Sequence, residues 1–100
     1  MLDLVAKKLF LTKGIGVADD KLTSFEFALR SAGIAGTNIV LISSIFPPNA
    51  RLVPRKEGLK LIKPGQILFS IYSRNQANEP NRLISASVGI AQPKDRSKYG

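Results

Sequence analysis

Asn38-Ile39-Val40-Leu41-Ile42-Ser43-Ser44-Ile45-Phe46-Pro47-Pro48-Asn49 is the stretch on which the fold turns. Its first half, Asn38 to Ser43, is short, apolar and rich in β-branched residues, which predicts a strand buried on both faces. Its second half forbids continuation, because Pro47 and Pro48 have no amide proton to give to a ladder. The strand therefore stops with two adjacent hydroxyls, Ser43 and Ser44, at its tip.

Working back toward the start, a helix is expected that is capped at Thr23 and stopped by Gly33. Thr23-Ser24-Phe25-Glu26 fits a capping box, with Thr23 as the cap and Glu26 reaching back to it, and Leu22 and Phe27 sit where a hydrophobic staple needs them. Phe25, Ala28, Leu29 and Ala32 mark one buried face, and Gly33 ends the helix in the manner of a C′ glycine. Lys8 to Leu11 predicts a short strand, and Gly14 and Gly16 predict a tight turn after it. That Gly-x-Gly is a weak phosphate signal, since Asp19-Asp20 follows where a dinucleotide fingerprint needs a third glycine opening a helix.

Working forward, Arg51-Leu52-Val53 predicts a brief strand, Glu57 to Ile62 one helical turn, Pro64-Gly65 a turn, and Gln66 to Tyr72 a strand. Ser73 to Asn81 is a polar connection. Arg82 to Ala91 alternates with period two, Ile84, Ala86, Val88 and Ile90 on one side, and predicts a further strand. Pro93 to Gly100 is polar. Strands outnumber helices and a helix packs on a sheet, so the fold class is α+β.

Composition bounds the function. The 100 residues fit one domain, with a modest core whose stability is marginal unless subunits share surface. Hydrophobic residues at 44% and a mean hydropathy of +0.04 argue for a globular chain. No run approaches the roughly 20 apolar residues that span a bilayer, and Met1 to Lys8 lacks a signal-peptide pattern. With no Cys and no His, disulfides and thiolate sites are excluded and no metal site is expected. A cytoplasmic protein without membrane contact is expected. The net charge of +8 would suit nucleic acid, but the basic residues are scattered and no aromatic residues alternate with them as a stacking platform requires. A nucleic-acid-binding module is therefore the weakest reading.

Ser43-Ser44 is the candidate for chemistry. Serines at a strand end ordinarily cap backbone groups. The alternative is self-cleavage. Ser44 Oγ attacks the carbonyl of Ser43, converting the amide to an ester. Elimination then releases the front piece, and hydrolysis of the resulting dehydroalanine turns residue 44 into a pyruvoyl group. Such a carbonyl takes the electron-sink role that pyridoxal phosphate plays elsewhere.

These residues resemble a known family. Leu22-Thr23-Ser24-Phe25-Glu26, Ala28 to Ile34, Asn38, Ile42-Ser43-Ser44-Ile45 with Pro47-Pro48, Val53-Pro54, Pro64-Gly65, Glu79-Pro80 and Ile84 to Ala91 are similar to pyruvoyl-dependent arginine decarboxylase, from about Phe10 to Gly100. The resemblance implies an αββα sandwich, incomplete here, and a trimer of αβ units with active sites between neighbouring subunits. It implies a single domain over residues 1–100, divided into a β-chain portion, 1–43, and the start of an α-chain portion, 44–100. The cofactor it implies is a covalent pyruvoyl group derived from Ser44, and the reaction is arginine to agmatine and carbon dioxide, feeding polyamine synthesis or acid resistance.

By the same resemblance, Asn38 lies near the Ser43–Ser44 bond as an oxyanion or carboxylate donor. Glu26 meets the substrate guanidinium, a role that competes with its place in the capping box. Leu22, Ala35 and Thr37 line the same pocket. Glu79 is read as a solvated loop residue. Family members continue past Tyr99-Gly100 into a strand carrying a proton-donor glutamate that has no counterpart here. The second expectation is thus a truncated, inactive relative serving as a structural or regulatory subunit.

Overall fold

A computed structural model describes residues 3–100; Met1 and Leu2, the first residues of the segment that lacks a signal-peptide pattern, lie outside the described residues. The elements run β1 (Lys8–Leu9), α1 (Lys21–Ala32), β2 (Asn38–Leu41), β3 (Arg51–Leu52), α2 (Arg55–Lys60) and β4 (Ile67–Ser70). β1 pairs with β3 and β2 pairs with β4, both in parallel. Parallel strands need a crossover, and here the two crossovers interleave. α1 and β2 lie between β1 and β3, while β3 and α2 lie between β2 and β4. The chain is α+β.

α1 begins one turn earlier than the capping box predicts. Its N-cap is Asp20, whose Oδ1 accepts from the Thr23 amide at 2.7 Å and whose Oδ2 accepts from the Thr23 hydroxyl at 2.8 Å. An ionised carboxylate offers two strong acceptors at once, so it outcompetes a threonine three residues on. Thr23 is then a donor inside the helix and Glu26 falls in the second turn. The staple goes with it: Leu22 is 80% exposed.

The far end of α1 closes as predicted. Gly33 takes φ 86° and donates to Arg30 O, while Ile34 donates to Leu29 O, which is a Schellman motif. The remaining terminal carbonyls find side chains. Thr12 Oγ1 donates to Ala32 O at 2.8 Å, and Arg55 Nη2 donates to Ser31 O at 3.0 Å while its Nε donates to Thr12 Oγ1. All four orphan carbonyls of the last turn are thereby satisfied, and α2 is tied to α1 through a cation at the negative end of the helix dipole.

Gly14 and Gly16 make no tight turn. They let an extended segment lie directly on α1: a Cβ on Gly14 would collide with Ala28 O, and one on Gly16 with Ser24 O. Four residues separate those carbonyls, one helical turn. Ile15 N donates to Ser31 Oγ at 3.3 Å along the same seam.

Other boundaries shift. α2 occupies Arg55–Lys60 rather than 57–62, because Pro54, at φ −60° and ψ 149°, sets its start. The strands predicted over 38–43 and 66–72 shorten to β2 and β4. The alternating run 82–91 forms no strand, having no ladder partner among the described residues. Period two marks what a segment can do in a sheet, not that a sheet edge is offered to it.

β2 is not buried on both faces. Val40, Leu41 and Ile42 are exposed. The buried apolar residues are Ala32, Phe46, Ala50 and Val53, with Gly58 closed against the Phe10 ring. The accessible surface is 8161 Å², where a self-contained monomer of this mass exposes about 5600 Å². The radius of gyration is 15.3 Å, against about 13 Å for a compact domain of this length. Both excesses follow from strand and helix faces that the described residues leave uncovered.

Candidate functional site

Ser43 and Ser44 occupy a short span between two anchors. On one side the amide of Ile42 donates to Ser70 O at 3.0 Å, extending the β2–β4 ladder by one bond. On the other, Phe46 N donates to Gly100 O at 2.8 Å and Gly100 N donates to Phe46 O at 3.0 Å. Phe46 itself is 9% exposed. Between the anchors, Ser43, Ser44 and Ile45 make no hydrogen bond among the described residues, and all three are exposed. The hydroxyls do not face restricted solvent, as burial of the strand would have required. They also do not cap backbone groups.

The parallel arrangement sorts the other site residues by end. Ile42 N and the four-residue register hold 38–42 extended, so Asn38 and Ile42 are about 13 Å apart at 3.3 Å per residue. Asn38 is at the amino end of β2. Its Nδ2 donates to Gly65 O at 2.9 Å, and its own amide donates to Gln66 O at 2.8 Å. Ala35 and Thr37 are at that end too, in the connection from α1, where Thr37 Oγ1 donates to Ile34 O at 2.7 Å. Within one chain these three stand away from the serines.

Leu22 and Glu26 lie toward the other end. The short connection 33–37 turns the chain back, so α1 runs against β2. Phe25 confirms the sense: its ring centroid lies 6.0 Å from that of Tyr72, just beyond the carboxyl end of β4. Leu22, Thr23, Phe25, Glu26 and Leu29 line one open depression on this part of α1. Glu26 accepts from Arg30 Nε at 3.2 Å, an exposed i,i+4 pair, rather than capping the helix. Such pairs contribute about 0.3–0.5 kcal/mol, so the carboxylate is cheaply released to another cation. Glu79 pairs with Arg82 at 2.9 Å in an exposed loop.

Two features escaped sequence reasoning. Arg74 places its guanidinium carbon 3.8 Å over the Phe25 ring, the same ring that meets Tyr72, and builds a cationic aromatic cluster beside the depression. The anchor from Phe46 to Gly100 joins residues 54 positions apart, a pairing with no local signal. Among the described residues no helix is long and apolar enough to cross a membrane.

Comparison with known proteins bears directly on this arrangement. The family model described as pyruvoyl-dependent arginine decarboxylase matches residues 8–100. The pyruvoyl-dependent arginine decarboxylase of Nitrosopumilus maritimus is 76% identical over 100 residues, covering 100% of this chain and 55% of the relative. That of Thermoplasma volcanium is 53% identical over 100 residues, with the same coverage of 100% and 55%. A probable pyruvoyl-dependent arginine decarboxylase of Chlorobaculum tepidum is 54% identical over 99 residues, covering 99% of this chain and 55% of the relative. The chain thus spans about half the length of the curated relatives it matches. The group that this family's name implies is a covalent pyruvoyl, and a serine, with its hydroxyl one carbon from the backbone, is chemically suited to give rise to it. On the match over residues 8–100, the chain belongs to the pyruvoyl-dependent arginine decarboxylase family.

Proposed function

We propose that the chain cleaves itself between Ser43 and Ser44, that residue 44 becomes the pyruvoyl group, and that the assembled protein decarboxylates arginine to agmatine in the cytoplasm. The observation that carries this reading is the Ser43-Ser44 pair standing exposed just past the carboxyl end of β2, between the Ile42 and Phe46 anchors, in a chain of this family. Ser44 Oγ adds to the Ser43 carbonyl carbon, the Ser43–Ser44 amide bond breaks, and the Ser44 nitrogen takes the proton. Loss of the Ser44 Cα proton then expels the Ser43 carboxylate. Addition of water to the dehydroalanine and loss of ammonia leave the carbonyl. Residues 1–43 form the β-chain portion and 44–100 the start of the α-chain portion.

Once formed, the pyruvoyl carbonyl supplies an electrophile for the substrate amine and a sink for the electrons left by carbon dioxide. Glu26 holds the guanidinium in a charge-assisted pair, in place of Arg30. Leu22 covers the apolar stem of the substrate. Asn38, with Ala35 and Thr37, belongs to the same site through a neighbouring subunit. Its position at the opposite end of β2 from Ser44 supports a site shared between copies, as does the uncovered apolar surface. An αββα sandwich in a trimer of αβ units satisfies both.

A second reading, an inactive structural or regulatory subunit, draws on one observation: among the described residues no titratable side chain hydrogen-bonds to either serine hydroxyl. Release of labelled carbon dioxide from arginine by the full chain separates the two. The wild type should release it and Ser44→Ala should not, with unchanged circular dichroism. Equal release by Ser44→Ala, or none by a processed wild type, contradicts the proposal.

A further inference from the structure

We infer that Asp95–Gly100 is a clamp that positions the Ser43–Ser44 bond for self-cleavage, an inference that rests on the self-processing reading above. The segment meets the far side of the scissile span at two places. Phe46 and Gly100 exchange both backbone hydrogen bonds, at 2.8 and 3.0 Å, and Asn49 N donates to Arg96 O at 2.8 Å. Neither stretch belongs to a helix or strand, and these three backbone bonds join the two.

Both sides of the clamp are locally built. On one side, Ala50 N donates to Pro47 O, and Asn49 takes φ 62° at the turn, a left-handed conformation that asparagine tolerates and a β-branched residue does not. Phe46 and Ala50, at 9% and 1% exposure, seat this turn in the core. On the other side, Asp95 Oδ1 accepts from Ser97 N at 3.0 Å and Ser97 Oγ at 2.6 Å, and Lys98 N donates to Asp95 O at 3.1 Å. This turn aims Arg96 O at Asn49. Gly100 approaches the chain so closely that a Cβ there would strike Ala91 O.

The consequence concerns the reacting bond. Ser44 lies only two residues from Phe46, so the clamp sets where its hydroxyl stands relative to the Ser43 carbonyl, which the β2–β4 ladder holds through Ile42. Intramolecular attack is steep in geometry: a displacement of about 1 Å can cost on the order of 100-fold in rate. Asp95 and Asn49 touch neither reacting atom and are positioning residues.

The test follows precursor conversion by intact mass in the full chain, at a temperature where every variant is folded. Asp95→Ala and Asn49→Val should slow conversion on the order of 10-fold or more. Asp95→Asn keeps the turn acceptor and Asn49→Gly keeps the left-handed backbone, so both should convert at nearly the wild-type rate. Thr12→Val, which removes a hydrogen bond remote from the clamp, should also leave the rate unchanged. Wild-type rates in Asp95→Ala and Asn49→Val overturn the clamp while leaving self-processing intact. Equal slowing in all five variants also overturns it, by showing general loosening. A wild type that never converts overturns the self-processing reading and the clamp with it.

Discussion

The carboxylate of Asp20 accepts from the Thr23 amide and then from its hydroxyl, and those two donors hold its pKa below the ordinary aspartate value. A group whose folded pKa is depressed stabilises the folded state above the unfolded value and loses that contribution as pH falls through the folded one. The first turn of α1 should therefore fray only at pH below the usual aspartate range. The Thr23 amide chemical shift, followed by NMR titration, should report a midpoint below that of a free aspartate, and a midpoint at or above it contradicts the assignment. Asp20→Ala should remove the titration and lower the melting temperature, whereas Thr23→Val should keep an amide-only cap. Asp95 is lowered in the same direction, by the Ser97 hydroxyl first and its amide second, so the turn that aims Arg96 O persists through neutral pH.

Among the elements, α1 is held by things its own sequence does not contain. Thr12 and Arg55 satisfy its last carbonyls, and Gly14 and Gly16 lie on its backbone. Gly16→Ala would place a methyl against Ser24 O, a backbone atom that cannot swing aside. Overpacking of this kind costs about 1–3 kcal/mol, and denaturant unfolding should show a loss in that range with an unchanged slope. Unaltered stability would mean that the segment does not lie on α1. The Schellman end at Gly33 was legible because the glycine and its neighbours are local. Gly14 and Gly16 predict a turn yet lie against α1, because a close backbone approach and a tight turn ask for the same residue. Thr23-x-x-Glu26 matched a capping box, yet Asp20 stood three residues upstream with the stronger acceptor. The alternating run from Arg82 to Ala91 carried a strand's pattern, but no described strand edge accepts it. The Ser43-Ser44 pair was legible as a strand end followed by prolines. Its partner at Gly100 was not, because a pairing across 54 positions leaves no periodicity to read.

For the whole molecule, surface decides. An accessible area of 8161 Å² against about 5600 Å² expected means that Val40, Leu41, Ile42, Phe69, Ile71 and Tyr72 stand open along the β2–β4 pair and beyond it. Apolar surface on this scale calls for a cover, and the proposed trimer assigns that cover to other copies. At micromolar concentration the chain should sediment as a species larger than its 10.9 kDa monomer, and substituting Leu41 and Phe69 by Ser should shift it toward the monomer. A monomer at every concentration would contradict shared faces, and with them a site that draws Asn38 from one copy and Ser44 from another.

The central claim is that this fold breaks its own backbone at one bond. The most direct measurement is an intact-mass spectrum of the full chain under denaturing conditions after long incubation, beside Ser44→Ala. Self-processing predicts two species in the wild type, one ending at Ser43 and one beginning at a residue 44 that has lost its amine, and a single intact species in the variant. A single intact species in both, or cleavage in both, would contradict it.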